Sequence, residues 1–399
     1  MFGSSAAMLA LVPTHASVDE GQPRAIHLSP PHLTGAELAR VAESLASGWC
    51  APAGPWPQRF ADRVAAITGF RHGVPVASGT AALTLAFRLL GIGPGDEVWV
   101  PSLTFIGSVA PAVHLGATPV FLDVSRHHWT LDPDRLAWRL ARAGRRGQLP
   151  ACVVAVDLYG QASDLETILG LCARWGVPVV SDSCEGLGAL ARGRPAGQGA
   201  RIACYSFNGN KIVTAGGGGV LATDDLALAE HAMRLATQAK EPVPHYQHVE
   251  LGWNFGLSSV LAAIGLAQLD ALPARVESRR AIHARYHDAL GRLPGIAFQQ
   301  EPDWSVSTRW LSAMLIDPRI QGVDRETVRL ALARQGIEAR PVWKPMHLQP
   351  VFRSAPVDGG RVSAELFAHG LCLPSGSNLS EAQQSYIIDT VRAALRGGA

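Results

Sequence analysis

The strongest constraint on the fold lies between residues 74 and 182, where short apolar runs alternate with longer segments of helical spacing. The runs Val74–Ala77, Glu97–Val100, Pro119–Asp123, Ala151–Asp157 and Val177–Asp182 are rich in valine and show little polar alternation. A strand reads this way when both of its faces are covered, as in a parallel sheet flanked by helices. Between them, Ala81–Leu90, Ser108–His114 and Leu165–Trp175 read as helices. This alternation predicts an α/β layered domain, whose ligands gather beyond the carboxyl ends of the strands.

The flanking sequence supplies the rest of the architecture. Thr34–Leu45 sets Leu38, Val41, Ala42 and Leu45 on one helical face, with Thr34 as cap and Glu37 following it. Gly48–Pro55 is a turn-rich stretch that carries Trp49 among prolines. Ser258–Leu272 is an apolar helix followed by the charged stretch Arg275–Arg280, which reads as a hinge. A strand at Trp310–Ile316 and helices at Arg325–Gln335 and Ser380–Leu395 predict a smaller mixed domain. A chain of 399 residues exceeds the usual size of one core. The expected division is a leader 1–26, a large domain 27–255, a connecting helical region 256–280 and a small C-terminal domain 281–399.

Charge and cysteine usage narrow the classes of function. The 35 basic and 33 acidic residues leave a formal charge of +2, too little to attract nucleic acid or an acidic membrane surface as a whole. The six cysteines are scattered without a Cys-x-x-Cys pair, as buried free thiols are. Met8–Val12 is apolar but short and lacks a basic lead, so neither secretion nor membrane insertion is expected and the cytoplasm is the default compartment.

Two residues carry chemistry. Val179–Asp182 ends a predicted strand in a carboxylate, and Tyr205–Lys211 presents a lysine on a loop after another. A lysine amine can capture an aldehyde, and an aspartate facing a pyridine nitrogen keeps it protonated. Each has a plainer reading, as a turn cap and a solvated surface cation. The run Gly216–Gly219 after the lysine permits close backbone approach, or simply closes a hairpin. Ser78-Gly79-Thr80-Ala81 stands where a strand passes into a helix, a site for a phosphate or an ordinary N-cap by Thr80. Phe105 can stack on a flat ring or seal a sheet–helix junction. Neither the dinucleotide fingerprint nor the P-loop is matched by Gly91–Asp96 or Gly209–Ile212.

With these segments in order, the chain from about residue 27 resembles the DegT/DnrJ/EryC1/StrS sugar aminotransferases, a branch of the fold-type I pyridoxal-phosphate enzymes. The resemblance rests on Ser78–Leu83, Pro101–Phe105, Gly116–Asp123, Ser181–Glu185, Ser206–Lys211 and Asn254–Ser258. It implies a large domain with a mostly parallel seven-stranded sheet and a smaller C-terminal α/β domain. It also implies that Lys211 holds pyridoxal 5'-phosphate covalently, that Asp182 pairs with its ring nitrogen and that Phe105 covers the ring. Glu185 would lie beside ring and substrate, Gly79, Thr80, Ala81 and Ser206 would hold the phosphate, and Asn208 would also contact the cofactor. Asn254 would come from the neighbouring subunit of a homodimer with shared active sites.

Within the family, Leu28–His32, Trp49–Pro52, Arg340–His347 and Leu373–Gly376 resemble the enzymes of UDP-N-acetylbacillosamine synthesis and their exopolysaccharide relatives. The implied reaction takes an amino group from L-glutamate to C4 of a UDP-linked 2-acetamido-2,6-dideoxy-4-keto-hexose. The nucleotide sugar would meet Trp49, Arg340, Trp343, Lys344 and His347, and no metal is expected. Other nucleotide-linked keto sugars, a pyridoxal-dependent dehydration and a non-enzymatic regulatory role are the alternatives. Gly256 stands where an arginine is common in the family, and Ser181, Ser183 and Cys184 flank Asp182 in place of commoner residues.

Overall fold

The structure is a computed structural model that describes residues 25–397. Most of the expected leader, with Met8–Val12, lies outside the described residues. The large domain is organised around seven strands: β1 (His72–Val76), β2 (Glu97–Pro101), β3 (Thr118–Leu122), β4 (Cys152–Val156), β5 (Val179–Asp182), β6 (Ile202–Ser206) and β7 (Gly219–Thr223). Their order is β1-β7-β6-β5-β4-β2-β3, with the two-residue strand β8 (Val357–Asp358) added beside β3, so the sheet has eight strands. From β6 to β8 every pairing is parallel, and β7 alone runs against its neighbours.

Alternation along the strands shows why their sequences are apolar throughout. Val98, Val100, Val154, Val156 and Val180 enter one core with Leu83, Phe87 and Leu235 of helices Gly79–Leu89 and Leu226–Ala236. Trp99, Val153, Ala155 and Val179 enter another with Leu136, Leu140 and Ile168 of helices Pro133–Gly144 and Leu165–Ala173. Successive side chains point to opposite faces, and both faces are covered.

The small domain is an antiparallel sheet in the order Ile296–Phe298, Ser312–Ile316, Gly370–Leu373, Arg340–Pro341. Helices Arg325–Arg334 and Glu381–Leu395 cover it over a core that includes Met314, Ile316, Leu332 and Val391. Two C-terminal segments return to the large domain: β8 joins its sheet, and Ser305–Val306 pairs with Leu190–Ala191.

Two local expectations are corrected, and the charged stretch Arg275–Arg280 lies inside the helix Leu272–Leu290, which follows Ser259–Leu269 at a bend of 63°. Its buried stripe includes Arg275 and Arg279 beside Leu272, Ile282, Tyr286 and Leu290, so arginines occupy core-facing positions. The helix Ala36–Ala46 is capped by Gly35, and the Glu37 carboxylate accepts from the Thr34 and Gly35 N–H groups. The strand expected from Trp310 begins at Ser312. Among the described residues no single helix is long and apolar enough to cross a membrane.

Candidate active site

The parallel register brings the carboxyl ends of β4, β5 and β6 together, with Val156 opposite Asp182 and Asp182 opposite Cys204. A cavity of about 330 Å³ opens there, lined among others by Gly79, Thr80, Phe105, Asp182, Glu185, Ser206, Asn208, Lys211, Trp310 and Trp343. Three residues expected to carry the chemistry, Lys211, Asp182 and Glu185, therefore share one cavity.

Lys211 follows β6 on a turn in which its N–H donates to the Asn208 carbonyl at 3.0 Å. Its Nζ lies 3.5 Å from Glu185 Oε1 and 4.3 Å from the centre of the Trp310 ring. The other oxygen of Glu185 accepts the backbone N–H of Tyr159 at 2.9 Å. Burial holds the pKa of the Glu185 carboxyl above the ordinary carboxylate value, and Lys211 offsets part of that rise. Asp182 is buried at the end of β5, where its Oδ2 accepts the Ser108 hydroxyl at 2.6 Å and its Oδ1 the Cys184 N–H at 3.2 Å. The carboxylate is thereby fixed in orientation by donors from two different loops.

On the opposite side the helix Gly79–Leu89 points its N-terminus into the cavity. Ser78, not Thr80, is the cap, its Oγ accepting the Ala81 N–H at 3.0 Å. The Ala81 N–H is thus already bonded, while the exposed Thr80 and the first-turn amides of Gly79 and Thr80 face the cavity as donors suited to an anion. Glycine is required at 79, since a Cβ there would stand 2.6 Å from Cys184 Sγ and 2.9 Å from Ser206 Cβ. Gly219 likewise presses β7 onto this turn, its added Cβ falling 2.4 Å from the Ser78 carbonyl oxygen. The glycine run therefore closes the loop into β7 and also builds the anion cradle.

Phe105 keeps 57% of its surface exposed at the cavity and lies 6.0 Å from the Trp343 ring, centre to centre. Trp343 packs on Tyr159 at 5.4 Å and donates its backbone N–H to the Tyr159 hydroxyl at 2.9 Å, while its indole N–H has no partner among the described residues.

The remaining expected residues lie elsewhere. Trp49 closes over Gly54, and neither it nor Asn254 lines the cavity of its own chain. Arg340 is mostly exposed and paired with Glu338 at 2.9 Å. Lys344 is exposed, and His347 is tied by Nδ1 to the Ser102 hydroxyl at 2.6 Å, with burial lowering its pKa. Gly256 has a local reason: a Cβ there would stand 2.7 Å from the Pro52 Cβ. Ser183 is explained as well, since it donates to Asp157 at 2.7 Å.

Sequence reading missed Asp157, Tyr159 and Trp310 as site residues. Asp157 follows β4 as Asp182 ends β5, and that shared strand-end carboxylate was the available signal. Asp157 is buried in the cavity wall, and its carboxyl is pushed up to about 6 by burial despite donors from Ser163 and Ser183.

These groups suit pyridoxal phosphate: an amine for its aldehyde, a fixed carboxylate for its ring nitrogen, an exposed ring for its face and a glycine-lined helix terminus for its phosphate. The sequence profile of the DegT/DnrJ/EryC1/StrS aminotransferase family matches residues 31–392. EpsN of Bacillus subtilis (strain 168), provisionally named a pyridoxal phosphate-dependent aminotransferase, is 44% identical over 92% of this chain and 95% of EpsN. GDP-perosamine synthase of Caulobacter vibrioides is 33% identical over 93% of this chain and 97% of the synthase. The crystal structure of the aminotransferase TlmJ from Streptoalloteichus hindustanus superimposes with a TM-score of 0.86 at 31% identity, across 94% of this chain and 100% of TlmJ. Agreement along nearly the whole length, and not only at isolated motifs, places the chain in the DegT/DnrJ/EryC1/StrS aminotransferase family, whose cofactor is pyridoxal phosphate.

Proposed function

We propose that the chain transfers an amino group from L-glutamate to C4 of a UDP-linked 2-acetamido-2,6-dideoxy-4-keto-hexose. The observation that carries the aminotransferase part of this reading is the placement of Lys211 Nζ beside Glu185 in the same cavity as the buried Asp182. The UDP sugar rests on the resemblance of Arg340–His347 and Leu28–His32 to one branch of the family.

When bound, pyridoxal phosphate supplies an aldehyde for amine exchange and an electron-accepting ring. Lys211 anchors that aldehyde and, with its amine free, takes the proton from the donor's α-carbon and later delivers one to the sugar carbon. Asp182 holds the proton on the ring nitrogen, and its bonds to Ser108 and Cys184 keep it from turning away. Gly79, Thr80 and Ser206 hold the phosphate, with Asn208 beside them. Phe105 covers the ring, Glu185 orients the Lys211 amine, and Asn254 of a second copy completes the site in a homodimer. Trp343, whose indole N–H at the cavity has no partner among the described residues, is the contact for the nucleotide sugar, and the exposed Lys344 next to it is the cation for its diphosphate.

The similarity to GDP-perosamine synthase favours a second reading, in which the acceptor is a GDP-linked sugar. One experiment separates them. The purified protein is treated with L-glutamate, the absorbance change of the cofactor is recorded, and its reversal is followed with UDP-, GDP- and dTDP-linked 4-keto and 3-keto sugars, products being identified by mass and NMR. Reversal by the UDP-linked 4-keto sugar alone is expected. Reversal by GDP sugars alone establishes the second reading, and reversal by simple keto acids but no sugar removes both.

A further inference from the structure

Trp310 lies two residues before the small domain's strand Ser312–Ile316, and its indole forms part of the wall around Lys211. Its ring centre is 4.3 Å from Lys211 Nζ, and its residue surface is 1% exposed. The indole Nε1 donates to the Asn210 carbonyl at 2.9 Å, and the Ser29 hydroxyl donates to that same carbonyl at 2.8 Å. The peptide leading into Lys211 is therefore held from two sides.

The other end of Trp310 is fixed as well. Arg279, fully buried in the helix Leu272–Leu290, donates from Nη1 to the Trp310 carbonyl and from Nη2 to Ser29 Oγ at 3.1 Å. No carboxylate among the described residues forms an ion pair with Arg279. Its two Nη atoms bond the groups that orient Trp310 and Ser29, its Nε has no partner among the described residues, and burial lowers its pKa. Gly160 lets this segment approach, since a Cβ there would stand 2.6 Å from the Trp310 backbone nitrogen.

A tryptophan that served only as core packing would meet apolar neighbours. This one packs in the core and in addition presents its ring, in the cavity wall, to Lys211 Nζ, which itself lies 3.5 Å from Glu185 Oε1. An indole face attracts an ammonium group most strongly where water is excluded.

We propose that Trp310, set in place by Asn210 and Arg279, is a positioning residue that holds the free Lys211 amine beside Glu185 at the cavity wall. The inference rests on the reading of Lys211 as the cofactor-binding amine. It adds that the position of that amine is determined by an aromatic group from the small domain. Movement of the small domain relative to the large one would then move the reactive amine.

The chain has three lysines, Lys211, Lys240 and Lys344, which makes the test direct. The cofactor-free full chain is labelled with lysine carrying carbon-13 at Cε, and the signals are assigned with Lys240→Arg and Lys344→Arg. The Lys211 Hε protons are expected upfield of those of Lys344 through the ring current of Trp310. In Trp310→Leu that displacement is lost, and in Trp310→Phe, which keeps an aromatic face, it is partly kept.

The single-turnover rate with L-glutamate is expected to fall roughly tenfold or more in Trp310→Leu and by less in Trp310→Phe, with little change in glutamate affinity. An unshifted Lys211 signal in the wild-type protein overturns the proposal without need of any variant, as does equal loss of rate in the two variants. Failure of wild-type Lys211 to capture pyridoxal phosphate, with its signal shifted as expected, instead removes the reading of the lysine and leaves the geometry standing.

Discussion

Lys211 Nζ and Glu185 Oε1 stand 3.5 Å apart, and the second oxygen of the same carboxylate is bound at 2.9 Å by the backbone N–H of Tyr159. Tyr159 holds that N–H in place with a φ of 56°, a left-handed conformation rare for a bulky residue. It forms a tight reversal with Gly160, φ 90°, closed by mutual backbone bonds of Leu158 and Gln161 at 3.0 Å. The conformation belongs to a two-residue turn of the primed type, and it aims one donor at the carboxylate beside the lysine.

Tyr159→Phe removes the hydroxyl that accepts the Trp343 N–H. Leaving that donor unpaired costs about 1–3 kcal/mol, read as a lower midpoint of urea unfolding. Because Trp343 faces the cavity, the KM for the sugar is expected to rise several-fold, while the half-reaction with glutamate changes little. A change in the glutamate step alone would count against the assignment of Trp343 to the sugar.

Gly79→Ala drives a methyl group toward Cys184 and Ser206 and should destabilise the protein by about 1–3 kcal/mol. It should also weaken cofactor binding at least tenfold, as measured by equilibrium dialysis. Gly170→Ala, away from the cavity, is the control, since its added Cβ meets nothing within 4 Å, and near-normal binding is expected there.

Asp157 gives the cofactor-free protein a pH dependence of definite sign. Its carboxyl is raised from 3.8 to about 6, so the folded state binds this proton more tightly than the unfolded state. Stability from this group is complete below about pH 4 and is lost as pH rises through about 6, by up to about 3 kcal/mol. Urea unfolding across this range should show the decline in the wild-type protein and a flatter profile in Asp157→Asn. An equal decline in both proteins would assign the effect to other groups.

The layered fold and the strand ends were legible because burial on both faces leaves a local imprint, as in the pairs Val153-Val154 and Val179-Val180. Asp182, Lys211 and the turn at Ser78 follow from those strand ends. Tyr159 and Trp310 were not legible, since each acts through contacts far along the chain, and an isolated aromatic reads as core. The burial of Arg275 and Arg279 was not legible for a related reason: a charged stretch gives no local sign that its members bond, as these two do, to the backbone carbonyls of His32 and Trp310. Arg340 and His347 have the residue types of ligand contacts, and in the structure Arg340 pairs with Glu338 and His347 with Ser102.

The most direct test of the account is reduction of the full-length protein with borohydride in the presence of pyridoxal phosphate, followed by proteolysis and mass analysis. A single phosphopyridoxyl group on the peptide that contains Lys211 is the predicted result. No adduct, or one on Lys240 or Lys344 in its place, would contradict it.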